Sequence, residues 1–196
     1  MEVLSQILEI LNAILSGWLM LMLVYQLVIT FFGYKRNTKD YQDHAPLMRF
    51  LVLVPAHNEE AVIGNLVDSL LRQDYPRELY DVIVAPNNCT DDTEAVAAGR
   101  GARIFRPEGV IRSKGEVLTQ VVDKIVLAEE FDAMCVFDAD NLVDPNFVLE
   151  MNKVYDQGGY GAITCYRNSR NFGANWISAG YAIWFLREAR FLNFPR

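Results

Sequence analysis

The sequence predicts an α/β protein: a mostly parallel sheet with helices on both faces, preceded by one transmembrane helix. Two observations predict this fold. Short apolar segments alternate with segments of helical spacing from Arg49 onward, as in parallel sheets covered by helices. Residues 10–34 form an apolar segment without a charged residue, long enough to cross a bilayer.

Length, charge and cysteine content limit the class of protein. A chain of 196 residues can form one domain with a core and a short extra segment. The formal net charge of -7 opposes non-specific nucleic-acid binding, so no nucleic-acid partner is expected. Three cysteines without a Cys-x-x-Cys pair indicate a reducing compartment, and Cys135 and Cys165 are predicted to be core residues.

The N-terminal apolar segment predicts a membrane anchor over residues 1–36. As a helix, Ile10–Tyr34 can cross a hydrocarbon core of ~30 Å. A cleaved signal peptide is the alternative, but it would carry lysines where Glu2 and Glu9 stand, and a shorter apolar run. Three basic residues follow the segment: Lys35, Arg36 and Lys39. They predict a single-pass anchor in the inner or plasma membrane, with the following domain in the cytoplasm.

The remaining elements follow a polar linker at residues 37–48. Apolar runs predict strands at 49–55, 80–85, 102–105, 131–137 and 160–166. Helical spacing predicts helices at 61–73, 90–100, 114–128 and 145–156, with Asn58 and Thr90 as helix caps. The segment 176–194 is predicted to be a helix that packs on the protein or lies against the membrane surface, because aromatic residues and arginines alternate in it.

Polar clusters follow three of the predicted strands. They are Pro55–Glu60, Asn87–Thr93 and Asp138–Asn141. The carboxyl ends of parallel strands meet at one edge of a sheet, where ligands of α/β proteins bind, so the clusters predict a ligand site. Asp138 and Asp140 are separated by one residue and point to the same side in extended geometry, which suits a divalent cation; a solvated turn explains the pair equally well.

Together these segments resemble glycosyltransferase family 2, which has the Rossmann-like GT-A fold and includes cellulose, chitin and hyaluronan synthases. Four segments carry the resemblance: Val54–Glu60, Asn88–Thr93, Lys114–Gly115 and Asp138–Asp140. It covers about 50–146 and implies a GT-A nucleotide-sugar-binding domain at 49–170, followed by an amphipathic C-terminal helix at 171–196 where the domain is truncated. The implied protein is a membrane-anchored inverting glycosyltransferase of the hexosyltransferase type, active in polysaccharide biosynthesis.

The resemblance assigns the donor's nucleoside to two loops. Pro55, Ala56 and Glu59 would hold the uracil and ribose of a UDP-sugar, largely through backbone groups. Asn87 stands where the family usually has an Asp that accepts a hydrogen bond from the uracil N–H. A neutral carbonyl oxygen should hold this bond more weakly than a carboxylate.

The resemblance assigns the phosphates and the cofactor to the other two loops. Lys114, with Arg112 nearby, would approach the diphosphate. Asp138 would contact the ribose or the metal shell, and Asp140 would bind Mg²⁺ or Mn²⁺ directly. The cofactor is therefore expected to be a divalent cation that stabilises the leaving UDP.

The general base of the reaction is expected beyond Arg196, so none of the residues up to that point is predicted to be catalytic. The expected partners are a nucleotide-sugar donor, a glycan or lipid-linked acceptor, the membrane and a complementary C-terminal half. Alternatives are a catalytically inactive or split-partner nucleotide-sugar-binding membrane protein and, less favoured, a nucleotidyltransferase. Pro55–Glu60 lacks the glycine-rich basic loop expected of the last class.

Overall fold

The computed structural model describes residues 2–34, 41–43 and 45–189 and divides into two compact units. The first, called the apolar unit here, comprises residues 1–40 and 162–196. The second, called the sheet unit, comprises Tyr41–Gly161. The predicted linker at 37–48 and the end of the predicted helix at 176–194 lie partly outside the described residues.

The sheet unit contains a parallel four-stranded sheet in the order β3-β2-β1-β4. The strands are β1 (Phe50–Ala56), β2 (Tyr80–Pro86), β3 (Arg103–Ile104) and β4 (Ala133–Val136). β1 is central and wholly apolar, because both of its faces are covered. The chain moves from β1 to β2 and β3 on one side and returns to β4 on the other, so the topology changes direction between β1 and β4. The predicted parallel α/β sheet is confirmed.

Helices cover both faces of the sheet. The helices of the chain are α1 (Glu2–Tyr34), α2 (Ile63–Leu71), α3 (Thr93–Gly99), α4 (Lys114–Val121), α5 (Phe147–Gly158) and α6 (Trp176–Arg187). Val52 and Val54 of β1 pack in one core with α2, α3 and α5. Leu51 and Leu53 point to the other face and pack with α4. This alternation places two cores on opposite sides of one strand.

Two predicted helix caps are wrong. Asn58 was expected to cap the first helix of the sheet unit and Thr90 the next, but α2 begins at Ile63 and α3 at Thr93. Asn58 Oδ1 instead accepts a hydrogen bond from the Thr90 backbone N–H at 2.8 Å. Both residues therefore join two loops that are distant in sequence, and this tertiary contact replaces the local cap.

The predicted strand at 160–166 is also wrong, since no strand occurs there. Most of its side chains are exposed, including Cys165, which was expected in the core. An apolar run does not form a strand when the segment lacks a hydrogen-bonded neighbour and a covered face. Two helices also differ in extent: α4 ends at Val121 and continues as a π-helical turn at Val122–Val126, and α5 begins at Phe147 after Pro145.

The residues that lead into β1 are held against α5 by one buried side chain. Asn152 Oδ1 accepts from the backbone N–H groups of Leu47 and Met48 at 3.3 and 3.2 Å and from the Tyr75 hydroxyl at 3.0 Å. Its Nδ2 donates to the Ala45 carbonyl at 3.2 Å. Asn152 is fully buried, and these bonds pair both its oxygen and its Nδ2, which fixes the path of the chain into the sheet.

The apolar unit contains α1 and α6. Glu2–Phe32 of α1 is long and apolar enough to cross a membrane, by length and composition, and its most apolar segment has no buried residue. A signal sequence passes the same test. The basic residues that predicted the orientation, Lys35, Arg36 and Lys39, lie outside the described residues, so the orientation stays a prediction.

Candidate functional site

The loops after β1 and β2 meet at the carboxyl edge of the sheet. Ala56 lies opposite Pro86 in the last step of the strand pair, and the Asn87 N–H donates to the Ala56 carbonyl at 2.8 Å. His57 Nδ1 lies 2.6 Å from the Asn87 carbonyl oxygen. The predicted loop residues Pro55, Ala56 and Asn87 are therefore neighbours, as the sheet register requires.

A second set of bonds joins the same two loops further along. The Glu59 N–H donates to Thr93 Oγ1 at 2.7 Å, and the Thr93 hydroxyl donates to Asp91 Oδ1 at 2.5 Å. Glu60 bonds to two neighbouring residues of the second loop, since its N–H donates to Asp91 Oδ2 and its Oε2 accepts from the Asp92 N–H. The Thr93 hydroxyl lowers the pKa of the Asp91 carboxyl below its ordinary value. These bonds hold the loop that carries Glu59 in a defined conformation.

Two asparagines adopt left-handed backbone conformations in these loops. Asn58 has φ of 55° and Asn88 has φ of 49°, a region that Asn tolerates better than most residues. Asn88 Nδ2 donates to the Ile111 carbonyl at 2.9 Å, which ties the loop after β2 to the segment before α4.

The start of α4 has a side-chain cap. Ser113 Oγ accepts from the Glu116 N–H at 3.3 Å, and Glu116 Oε2 accepts from the Arg112 N–H at 2.9 Å. The arrangement resembles a capping box, except that the glutamate accepts from the backbone N–H of the residue before the cap rather than from that of the cap residue itself. Lys114 is the first residue of α4, so the cap fixes the position from which its side chain extends.

Lys114 reaches the loop after β4. Its Nζ lies 2.5 Å from Asp138 Oδ1. The Phe137 N–H donates to the Leu53 carbonyl at 3.0 Å, so the loop leaves β4 directly beside β1. Asp138 and Asp140 are exposed while Ala139 between them is buried, which places the two carboxylates on the solvent side of the turn.

Asn87 carries a buried polar atom without a partner. Its Oδ1 is inaccessible to solvent, and within the described residues it accepts no hydrogen bond. A buried acceptor in this state costs about 1–3 kcal/mol, and proteins retain few such groups. The oxygen belongs to the residue directly after β2, which the family resemblance assigns to the donor base.

The two aspartates fit a divalent cation that also binds a substrate. In the part of the chain that the structure describes, no cluster of three or more His, Cys, Asp or Glu side chains could hold a metal alone. Mg²⁺ commonly uses one or two carboxylates and completes its shell with water and substrate phosphates. Asp138 and Asp140 supply such a partial set, so the cation and the phosphates would bind together.

Some site residues were not predicted. Thr93 was predicted only as part of a turn, because its bond to Glu59 joins residues that are 34 positions apart. No local pattern predicts such a contact. The cap of α4 did have a sequence pattern, since Ser113 precedes Glu116 by three residues before an apolar helix face.

Comparison with known proteins identifies the family. The family model described as "Glycosyltransferase like family 2" matches residues 46–193. The β-monoglucosyldiacylglycerol synthase of Nostoc sp. is 25% identical over 174 residues, which cover 84% of this chain and 36% of that protein. The β-monoglucosyldiacylglycerol synthase of Synechocystis sp. is 26% identical over 148 residues, covering 74% of this chain and 31% of that protein. The chain thus spans about a third of the length of these relatives.

A solved structure shows the same fold. The mannosyltransferase PcManGT from Pyrobaculum calidifontis, in complex with GDP-Man and Mn²⁺, aligns with a TM-score of 0.58 at 23% identity, covering 76% of this chain and 44% of that chain. This likeness confirms the GT-A-like fold. The finer resemblance to cellulose, chitin and hyaluronan synthases stays a prediction, because the relatives above carry the names of monoglucosyldiacylglycerol synthases. The chain belongs to glycosyltransferase family 2.

Proposed function

We propose that this chain is the donor-binding part of a membrane-anchored, inverting glycosyltransferase that uses a UDP-sugar. The observation that carries the proposal is the contact between Lys114 and Asp138, 2.5 Å long and 24 residues apart in sequence. This contact supports the proposal because a cationic side chain lies beside the carboxylate of Asp138, two residues before Asp140, at the carboxyl edge of the sheet. A nucleoside diphosphate with its metal needs both charges at such an edge.

The Lys114–Asp138 pair is weak enough to rearrange. Both side chains are well exposed, at 46% and 63%, and an exposed ion pair contributes only about 0–1 kcal/mol. A charge-assisted hydrogen bond to a phosphate contributes about 1.5–3 kcal/mol. Lys114 therefore gains by turning to the diphosphate when the donor binds, which frees Asp138 for the ribose or the metal shell.

The buried oxygen of Asn87 supports the position of the base. The uracil N–H is a donor that would satisfy this acceptor once the Asn87 side chain turns toward the ligand, because the oxygen has no solvent-accessible surface in the free chain. Pro55, Ala56 and Glu59 belong to the loop joined to Asn87, so they would line the base and ribose.

A divalent cation, when bound, would neutralise charge on the leaving diphosphate. Asp140, with Asp138, would hold it. Lys114 would orient the phosphates, and the two joined loops would hold the nucleoside and exclude water from it. The group that takes the proton from the acceptor hydroxyl is expected beyond Arg196.

The proposed acceptor is lipid-linked. Diacylglycerol stands in the names of the relatives from Nostoc sp. and Synechocystis sp., and α1 is a candidate anchor that would keep the domain beside lipid. A growing glycan, as in polymer synthases, is the second candidate, and it rests on the motif resemblance alone. The domain is proposed to face the cytoplasm from the inner or plasma membrane, where nucleotide-sugars are made.

Isothermal titration calorimetry with UDP and Mn²⁺ tests the donor site, with the full chain in detergent micelles. We expect binding that is lost without the cation and weakened in Asp140→Asn. Lys114→Ala should weaken UDP binding by about 10–100-fold, the value of one charge-assisted bond. Lys124→Ala is the matched control, because Lys124 is 40% exposed, pairs with Glu108 and lies outside the joined loops. No heat of binding at millimolar UDP would refute the proposal.

A transfer assay with radiolabelled UDP-sugar and phospholipid vesicles that contain diacylglycerol tests whether the chain alone transfers sugar. The chain alone is expected to transfer sugar poorly, because no general base is predicted within it. Robust turnover would place the base among residues 1–196 and contradict this part while leaving the donor site intact.

A further inference from the structure

Helix α6 exposes large apolar side chains along most of its surface. Trp176 is 83% exposed and Trp184 is 62% exposed. Four more large apolar residues of the helix are exposed: Ile177, Tyr181, Ile183 and Leu186. Arg187 is the only charged residue within the helix. Exposed apolar surface of this extent indicates a site that another apolar phase or molecule covers.

One hydrogen bond ties α6 to the apolar helix α1. Arg187 Nη2 donates to Gln26 Oε1 at 2.9 Å. Gln26 lies within the uncharged segment Ile10–Tyr34 of α1, and most of the described side chains of that segment are exposed, although Gln26, Ile29 and Thr30 are half-buried. The last turn of α6 therefore lies next to α1 at Gln26, and the two helices have the same surroundings there.

We infer that α6 is a second membrane-contact element, which inserts its tryptophan-bearing surface into one leaflet of the bilayer beside α1. The inference rests on the proposed membrane anchor and is separate from donor binding. A helix of 12 residues is about 18 Å long, shorter than the ~30 Å hydrocarbon core, so α6 cannot span the bilayer. Trp and Tyr combine an apolar ring with a polar group and favour the boundary between hydrocarbon and water.

The charged groups near α6 agree with this placement. The Arg167 guanidinium lies 5.1 Å from the centre of the Phe185 ring and 3.7 Å from Glu188 Oε2. Arg187 is held by Gln26. Cations at the end of a helix can reach the headgroups while their aliphatic parts stay in the apolar layer. The alternative is that another protein covers α6 in water. The bond between α6 and a helix long and apolar enough to cross a membrane favours lipid as the covering phase.

Tryptophan quenching tests the inference, because the chain has only three tryptophans. The full chain with Trp18→Phe keeps Trp176 and Trp184 as reporters of α6. It is reconstituted into phosphatidylcholine vesicles whose acyl chains carry bromine either close to the headgroup or close to the chain end. We expect the shallow bromine to quench the α6 reporters more than the deep one, and aqueous iodide to quench them less than it quenches free tryptophan.

The matched control is the double variant Trp176→Phe with Trp184→Phe, in which only Trp18 of α1 reports. It should be quenched by bromolipids whatever α6 does. Strong iodide quenching of the α6 reporters without bromolipid quenching would place α6 in water and overturn the inference. Protection from both quenchers would show a protein cover, such as a second copy, and would overturn it as well. If Trp18 also escapes bromolipids, the anchor itself fails, whereas UDP calorimetry still decides the donor site.

Discussion

Asn87 Oδ1 is expected to have opposite effects on stability and on ligand binding. Burying it without a partner costs stability, by about 1–3 kcal/mol. An apolar side chain of similar volume at this position would make the folded chain more stable, because it would leave no unpaired acceptor. Under the proposed function, a donor group of the ligand completes the hydrogen bonding of this amide.

Replacing Asn87 in two directions tests this role. Asn87→Leu removes the unpaired acceptor, so we expect an unchanged or higher melting temperature but UDP binding weakened by about fivefold, the value of one neutral hydrogen bond. Asn87→Asp should lower the melting temperature without ligand, because a charge is buried, and should strengthen UDP binding, because an ionised acceptor bonds more strongly. Thermal unfolding and calorimetry measure the two effects. Equal UDP affinity for the Leu variant and the natural chain would show that Asn87 does not contact the base.

At the scale of the elements, the site depends on side chains that join loops rather than on the strands alone. The sheet brings β1 and β2 side by side, but the loops after them are joined by the side chains of Thr93 and Asn58 and by the bonds of Glu60 to Asp91 and Asp92. Thr93 is fully buried and serves the Glu59 backbone directly. A change at Thr93 should therefore affect both folding and the conformation of the loop that carries Glu59, which is proposed to hold the nucleoside.

Thr93→Val keeps the shape of the side chain and removes its hydroxyl. The Glu59 N–H then loses its acceptor, and we expect a loss of about 1–3 kcal/mol in the free energy of unfolding. Thr119→Val is the control, because that exposed hydroxyl bonds only the Gly115 carbonyl of its own helix, and a change below about 0.5 kcal/mol is expected. Urea unfolding should shift in midpoint with an unchanged slope. Similar shifts for both variants would mean that Thr93 contributes no more than an exposed threonine.

At the scale of the whole molecule, ion pairs connect elements that the chain order separates. Arg103 of β3 binds Glu129 through both guanidinium Nη atoms, at 2.9 and 2.6 Å, and Asp81 of β2 at 3.2 Å. The bonds from Arg103 lower the pKa of Glu129 below its ordinary value, and the same carboxylate raises the pKa of Arg103. The pair thus links the sheet to the end of the segment that follows α4.

This pair predicts the direction of acid sensitivity. A carboxyl whose pKa is lower in the folded state stabilises the fold above its unfolded pKa, here 4.5, and loses that contribution as the pH falls through the folded value. We expect Glu129→Gln to be less stable than the natural chain at neutral pH, with the difference disappearing in acid. Thermal unfolding between neutral pH and about pH 3 measures this convergence. Glu130→Gln is the control, and an equal pH dependence for both variants would contradict the prediction.

The sequence by itself determined the order of the first four strands and of the helices, the central position of an apolar first strand, and the family. These properties depend on apolar periodicity, which is visible in short windows of sequence, and on the order in which the motifs follow one another. The predicted strand at 49–55 differs from β1 (Phe50–Ala56) by one residue at each end for this reason.

Only the tertiary structure decided which partner each polar side chain has. Asn58 and Thr90 bond each other instead of capping helices, residues 160–166 form no strand, and Lys114 contacts Asp138. A hydrogen bond between residues that are 24 to 34 positions apart depends on strand order and loop path. These emerge from the packing of the whole sheet unit, and no window of the sequence contains them.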